Sequence, residues 1–402
     1  MRHVVLRGLS VVRTALAKVD WSAPRSAFGA PGAALSMHNA ESCRIEGCRI
    51  RQGSGSAISG SGTVRRCAVS NCHISEMGGG GISLAGGLCD PEPPVAGNRL
   101  TGNHIHHCGS LYWHSSGIAA GIAHRTAVAG NHIHDMPYVG ISTGGYRHRW
   151  FAGWPRVMDE LIDFWKRRGA GAPTILAVKE HLPGYNRIED NRIERVMLQL
   201  DDGAAIYCHA GHHNAVRRNV VVGTPRDGSH GLYFDDEECF SLMEHNVVVA
   251  CPDRRHTRRG SALHLHNNAG NTVRQNIFVG ADVLFTCPNS YGGHRIEENV
   301  FLFSDRCRLR SHPAPVMGPG DGRRQDGWVL GPSVMDGNLY WSARGSGPAE
   351  GLVRRLRELG FEAGAVVADP RLEVGDDGQW SLGVGSPVRD LIGELERLPD
   401  VG

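Results

Sequence analysis

"VRRNVV", residues 216–221, sets apolar residues on either side of a central asparagine, and the same phrase returns throughout the chain. It reads "LTGNHI" from 100, "VAGNHI" from 128, "IEDNRI" from 188, "MEHNVV" from 243, "VRQNIF" from 273 and "IEENVF" from 296. Nearer the start, cysteine takes the asparagine place in "IEGCRI" from 45 and "VSNCHI" from 69, and leucine takes it in "LRGLSV" from 6. From Cys48 the marked positions are Cys72, Asn103, Asn131, Asn191, Asn219, Asn246, Asn276 and Asn299, in steps of 24, 31, 28, 60, 28, 27, 30 and 23 residues.

A period of 23 to 31 residues with short β-branched runs points to coils of a solenoid that bury their apolar faces by stacking. Helical repeats of this length need two amphipathic stretches per unit, and these are absent. The expected fold is therefore all-β: a right-handed parallel β-helix, a pectate-lyase-like solenoid of about ten coils. The asparagines read as a stacked turn, each in left-handed geometry and bonded to the coils above and below. On that reading they are structural and bind no ligand.

The 60-residue step holds an insertion. In "GWPRVMDELIDFWKRRGAG" Met158, Leu161, Ile162 and Trp165 fall at helical spacing, which predicts an amphipathic helix on the outside of the stack. It would serve as edge cover or as one wall of a groove. The expected division is a β-helix over 1–304, with a helical insertion at 146–184, and a loop with a capping segment over 305–402. Within the last part, "GPAEGLVRRLRELG" predicts a short helix starting near Pro348, ahead of a strand-and-turn segment. Such a cap would cover the last exposed coil.

Composition bounds the partners. The 402 residues carry a formal net charge of +2, which gives no electrostatic reason to expect nucleic acid or an anionic membrane. No apolar run is long enough to cross a bilayer. The start, "MRHVVLRGLSVV", lacks an apolar secretion segment, which points to the cytoplasm, or to a secreted or periplasmic protein if the N-terminus is truncated. The 11 cysteines show no CxxC spacing and read as buried thiols in a reducing compartment. The oligomeric state is left open.

A second phrase precedes each asparagine phrase: "GISL" from 81, "GIST" from 140, "AIYCH" from 205, "GLYFDD" from 231 and "ALHLHNN" from 262. Strand alternation turns its intervening positions outward. In the earlier coils these are Ser83 and Ala85, then Ser142 and Gly144. In three later coils they become Tyr207 and His209, Tyr233 and Asp235, and His264 and His266. Stacking makes one column of Tyr207, Tyr233 and His264, and another of His209, Asp235 and His266. Asp235 between two imidazoles keeps its charge if either is protonated, and such a concentration of titratable groups marks a candidate site. Asp236 falls at the strand end in a turn or supporting place, and Glu237 and Glu238 read as solvated.

A second acid pair, Asp201 and Asp202, precedes Gly203 in "LDDGAAIYCHAGHH", at the corner that leads into the Tyr207 strand. Two carboxylates flanking a glycosidic bond supply the acid and the nucleophile or base of its hydrolysis. "LDDGAAIY" followed one coil later by "GLYFDDEE" resembles the paired acidic motifs of right-handed parallel β-helix glycoside hydrolases. The resemblance is to glycoside hydrolase family 141, the α-L-fucosidase and xylanase group. "NHIHDMPYVGIS" and "VADPRLEVGDDGQWSLGVGSP" extend it over nearly the whole chain. It implies Asp202 and Asp235 as the catalytic pair. Ala204 stands where the family tends to have a second glycine, and the family's secretion signal and N-terminal region are not seen ahead of the first coil.

The expected activity is hydrolysis of a plant or microbial polysaccharide, without cofactor or metal. Asp202 and Asp235 would be catalytic, and Asp201, Tyr207, His209, Tyr233, Asp236, His264 and His266 would bind the oligo- or polysaccharide. A lyase or uronate epimerase using a His/Tyr pair is the first rival. Against it, no Arg or Lys occupies an outward position of the three strands to neutralise a substrate carboxylate. The others are a non-catalytic carbohydrate-binding β-helix and a metal site of His264, His266 and Asp235.

Overall fold

The structure is a computed structural model. It describes residues 1–15, 32–87, 92–144, 184–224, 228–249, 260–266, 268–280, 292–303, 333–373 and 381–392. It also gives the backbone of 285–288, 309–312, 324–325, 328–329, 374 and 380. All but the last residue of the insertion expected at 146–184 lies outside them, as does most of the loop expected after residue 304.

Each coil contributes one strand to each of three sheets. In one coil these are Gly203–His209 for the first sheet, Ala215–Arg217 for the second and Val220–Val222 for the third. The sheets hold 11, 11 and 12 strands among the described residues. Successive coils pair in parallel, and the whole is a right-handed parallel β-helix. The stack runs on past residue 304, since Val334–Asp336 and Leu339–Ser342 join the second and third sheets.

Register follows from the repeat. Ile188 pairs with Val216 and Val216 with Met243, so the inward apolar residues form unbroken files. Burying each aliphatic side chain is worth about 1.5–3 kcal/mol against leaving it in water. Near the end of the stack the file becomes aromatic: Phe278, Phe301 and Tyr340 lie face to face, with 5.3 Å between successive ring centres. The seven described cysteines are all buried free thiols.

The asparagines form the expected ladder, with one difference in geometry. Asn219 is typical: its Oδ1 accepts from the backbone N of Asn191 at 3.0 Å and from Asn191 Nδ2 at 2.9 Å. Its own Nδ2 donates to Ile188 O at 2.8 Å and to Asn246 Oδ1 at 2.9 Å. The left-handed residue is the one before each asparagine. Asp190, Arg218, His245, Gln275 and Glu298 have φ of 57°, 50°, 55°, 55° and 56°, and Gly102 and Gly130 fill the same place at 65° and 63°. That residue makes the corner; the asparagine then lies flat enough to give its own N–H to the next coil. The ladder also continues to Asn338, which donates to the buried Glu362 carboxyl at 2.7 Å.

A second ladder stands at another corner. Thr126 N donates to Asn186 Oδ1, Asn186 N to Asn214 Oδ1, Asn214 N to Ser241 Oγ and Ser241 N to Asn271 Oδ1, all at 2.9–3.0 Å. Glu238 belongs here and is fully buried, which overturns its reading as solvated. It accepts from Gly211 N at 2.8 Å, Asn214 Nδ2 at 2.8 Å and Ser241 Oγ at 2.5 Å. Glu237 is also buried, at 3% exposure. The turn folds both acids back against the coil stack, and the three donors to Glu238 offset the cost of taking its carboxylate out of water.

After the last coil, the helix Ser346–Glu358 lays Ala349, Val353 and Leu356 on the open end of the core. Their spacing of four and three residues puts them on one helical face. Replacing Asn219 by alanine leaves donors of Asn191 without acceptors, and we expect it to lower stability by about 2–4 kcal/mol. Urea unfolding would measure this, and a loss below about 1 kcal/mol would show that water or relaxation replaces the rung.

Candidate functional site

Three neighbouring strands of the first sheet, Gly203–His209, Ser229–Asp235 and Ser261–Leu265, carry the expected cluster. Tyr207 pairs with Tyr233, Tyr233 with His264, and His209 with Asp235. The columns therefore exist on the outer side of the sheet. They are not open wall: Tyr207, Tyr233, His209, Asp235 and His264 are all buried, at 2–8% exposure. The half-buried members are Asp236 and His266, and Asp201 and Asp202 are the exposed ones.

Three donors converge on Asp235. The Tyr207 hydroxyl donates to Oδ2 at 2.6 Å, His266 Nδ1 lies 2.6 Å from Oδ1, and the Asp236 backbone N donates to Oδ1 at 2.8 Å. A carboxylate can only accept, so His266 carries its proton on Nδ1 here. The imidazole next to Asp235 is thus His266, with the Tyr207 hydroxyl on the other side. His209 instead stacks on Tyr207 with ring centres 5.4 Å apart, and its Nδ1 lies 3.2 Å from Thr143 O.

His266 is pulled two ways. Burial works to lower its pKa; the Asp235 hydrogen bond and the charges of Asp235, Asp236 and Asp202 outweigh it and leave the group raised. Asp236 Oδ1 stands 3.5 Å from the same Nδ1. Asp202 is raised as well, first by partial burial and then by repulsion from Asp235, with His266 opposing. The two carboxyls named as a pair therefore share one electrostatic field, together with Asp201 and Asp236.

Two contributors escape sequence reasoning. Tyr138 donates its hydroxyl to the backbone O of Asp202 at 2.9 Å and pins the acid turn. Gly203 makes room for that ring, since a Cβ there would stand 2.8 Å from Tyr138 Cε2. "DMPYVG" gave no sign of this, because the contact crosses 64 residues. The second is His230, whose Nε2 lies 3.0 Å from His264 Nδ1 and whose Nδ1 lies 2.7 Å from Ser261 Oγ. Strand alternation from Leu232 would turn His230 inward, yet its ring lies beside His264; Ala205 and Gly231 are left out of the pairing while the register stays the same on either side. Burial pushes His230 down to about 3 and His264 well below the ordinary range, so the two form a neutral pair. His264 stacks on Tyr233 with ring centres 4.2 Å apart and fixes that ring.

Among the described residues, Asp235, Asp236 and His266 bring three potential ligand atoms within 4.8 Å of one another. His264 is turned to His230 and is not part of that set, so the grouping of His264, His266 and Asp235 as ligands is not what the geometry assembles.

A family described as "Right handed beta helix region" matches residues 31–149. No curated protein matches the chain. Among solved structures, one titled "Glycoside hydrolase" is 17% identical with a TM-score of 0.37, covering 60% of this chain and 38% of its own. The complex of XylC with xylose is 14% identical with a TM-score of 0.46, over 94% of this chain and 56% of its own. The Dettilon tailspike protein is 11% identical with a TM-score of 0.49, over 91% and 59%. The chain thus spans between 38% and 59% of the length of these structures. At such identities they assign no activity.

The His266 environment is testable by NMR titration. Because its folded pKa is raised, the stability it contributes is complete below the ordinary imidazole pKa and fades as pH rises through the folded value. We expect His266 to titrate above the ordinary range in the native protein. In Asp235→Asn it should fall to or below that range, because burial is then less opposed; an unmoved titration would break the assigned contact.

Proposed function

We propose that the protein hydrolyses a glycosidic bond, with Asp202 as proton donor and Asp235 as the second carboxylate. The observation that carries this reading is the contrast between the two acids. Asp202 lies at the exposed turn and is pushed toward its protonated form by burial and by Asp235. Asp235 receives three donors, which favour the ionised form. One carboxyl inclined to hold a proton beside one inclined to lose it is what protonating a leaving oxygen and stabilising an oxocarbenium-like centre require. Asp236 and His266 are half-buried at the rim, and in this reading they orient water or a sugar hydroxyl. Tyr207, Tyr233, His209 and His264 are buried behind this rim and hold its shape, so they support the site more than they touch sugar. Asp201 is exposed at the mouth and adds to the field that raises Asp202.

The substrate reading is a polysaccharide or oligosaccharide. The likeness of the acid motifs to family 141 makes fucosides and xylan the first to try. The hydrogen-bonded run from Tyr207 through Asp235 to His266 favours a second reading, proton removal beside a uronate carboxyl, as in a lyase or epimerase. The two differ in product: the second gives an unsaturated sugar absorbing in the ultraviolet, or inverted stereochemistry without cleavage.

The test is turnover of a panel of chromogenic glycosides and polysaccharides, with Asp202→Asn and Asp235→Asn compared against the native chain. Each substitution should lower kcat about 10²–10⁴-fold, the usual worth of a placed acid or base. Asp202→Asn should also melt higher near neutral pH. A raised folded pKa means the ionised Asp202 costs stability there, and the gain should vanish below the ordinary carboxyl range. Full activity in both variants would remove the proposal, and sugar binding without turnover would turn it into a binding protein.

A further inference from the structure

The third sheet carries a second concentration of imidazoles, on strands His73–Ser75, His104–His106 and His132–His134. His73 pairs with His104 and His104 with His132, while His106 pairs with His134. The rings stack nearly parallel: 73 on 104 at 5.0 Å, 104 on 132 at 5.0 Å and 106 on 134 at 4.8 Å. All five are half-buried, on a wall separate from the acid cluster.

Ring nitrogens converge across the stack. His104 Nε2 and His134 Nε2 are 2.8 Å apart, and His73 Nε2 and His106 Nε2 are 2.9 Å apart. Two three-ligand sets result, each within 4.8 Å: His104, His132 and His134, and His73, His104 and His106. Asp135 Oδ2 lies 2.6 Å from His134 Nδ1, and Arg195 holds that carboxylate by two contacts of 2.8 Å. The Nδ1 proton of His134 is thereby fixed toward Asp135, which leaves the Nε2 lone pair facing His104. A carboxylate behind a histidine is the usual support of a metal-ligating imidazole.

From this arrangement we propose that the outer wall of the third sheet binds one divalent transition-metal ion of the zinc class through His104, His132 and His134. Imidazole nitrogen at about 2.0–2.1 Å from a tetrahedral ion needs nitrogens roughly 3.3 Å apart, so the 2.8 Å pair need open by only about half an ångström, while the His132 ring must turn out of its parallel stack on His104 to join them. His132 and Glu194 lie 3.3 Å apart, Nε2 to Oε2, and Glu194 also contacts Arg192 and Arg195. The nearby charges, Asp135 and Glu194 against Arg192 and Arg195, balance, so no net positive field repels a cation. The proposed set shares His104 with the second set and His134 with a third that takes His107 and Asp135, so an ion held by His104, His132 and His134 excludes the other two. An all-imidazole set suits zinc, nickel or copper over calcium or magnesium. The ion would tie neighbouring coils together and stabilise the stack.

The test is equilibrium dialysis and calorimetry of the tag-free chain with ZnCl2, with Co2+ absorption as a report of geometry. The expected result is one ion per chain, a tetrahedral Co2+ spectrum and a higher Tm with zinc. His104→Ala should weaken binding at least tenfold, and Asp135→Asn, which weakens the support of His134 and loosens the pairing with Arg195, by about 10–100-fold. His266→Ala should leave it unchanged. No binding, or binding lost in His266→Ala and kept in folded His104→Ala, overturns the proposal; the second outcome would place the ion at the acid cluster. Should His104→Ala fail to fold, Asp135→Asn with unchanged affinity and spectrum overturns it equally.

Discussion

Asn219 gives one hydrogen bond back to Ile188 O and one forward to Asn246, and accepts two from Asn191. Repeated from Asn103 to Asn338, this buried amide exchange fixes how each coil sits on the last. A slip of one residue would leave the amides without partners and send the apolar file out to water, and both costs act together. The ladder thus sets the register of the short strands flanking each asparagine. The first-sheet strands follow because each is tied to its corner at both ends. The meeting of Tyr207 with Asp235, across 28 residues of chain, is a consequence of that register.

Burial shapes the chemistry more than the column pattern does. The outward residues of the site strands are themselves covered, so each titratable group must find a partner or stay neutral. His230 and His264 take the neutral course and serve as a stacked support under Tyr233. Asp235 takes the other, gathering a hydroxyl, an imidazole and a backbone N–H. Although its turn lies at the surface, Asp202 is raised first by partial burial of its carboxyl and then by the charge of Asp235. The donors gathered by Asp235 favour its ionised form, and its charge in turn helps to raise Asp202, a coupling that neither sequence motif contains.

The coil repeat was legible because each rung uses the same amide in the same local phrase. The asparagine file, the inward apolar residues and the in-register pairing of Tyr207, Tyr233 and His264 all follow from that phrase and strand alternation. What could not be read is what depends on contacts between distant corners. The second ladder was hidden because Thr126, Ser241 and His294 interrupt its asparagines, and Glu238 looked solvated for the same reason. The phrase points to the asparagine as the left-handed residue, whereas it is the residue before it; backbone φ and the direction of the asparagine N–H distinguish the two. His209 stands opposite Asp235 as the register predicts, but its ring stacks on Tyr207 and its Nδ1 lies near Thr143 O, which register alone does not tell.

The same phrase that builds the ladder also explains why imidazoles gather on a second wall. In "NHIH", from 103 and again from 131, the asparagine locks the rung and the isoleucine fills the core. The two histidines then occupy the only positions of the strand that face outward. Coil spacing near 4.8 Å is close to a comfortable stacking distance for flat rings, so each added coil extends the array without strain. Arg192 and Glu194 end it one coil later with an ion pair in the same two columns. A solenoid that repeats its structural residues gives its outward positions freedom to vary coil by coil. Titratable side chains accordingly gather in short blocks of consecutive coils among the described residues, here one block of imidazoles and one around the acids, on different sheets of the same stack.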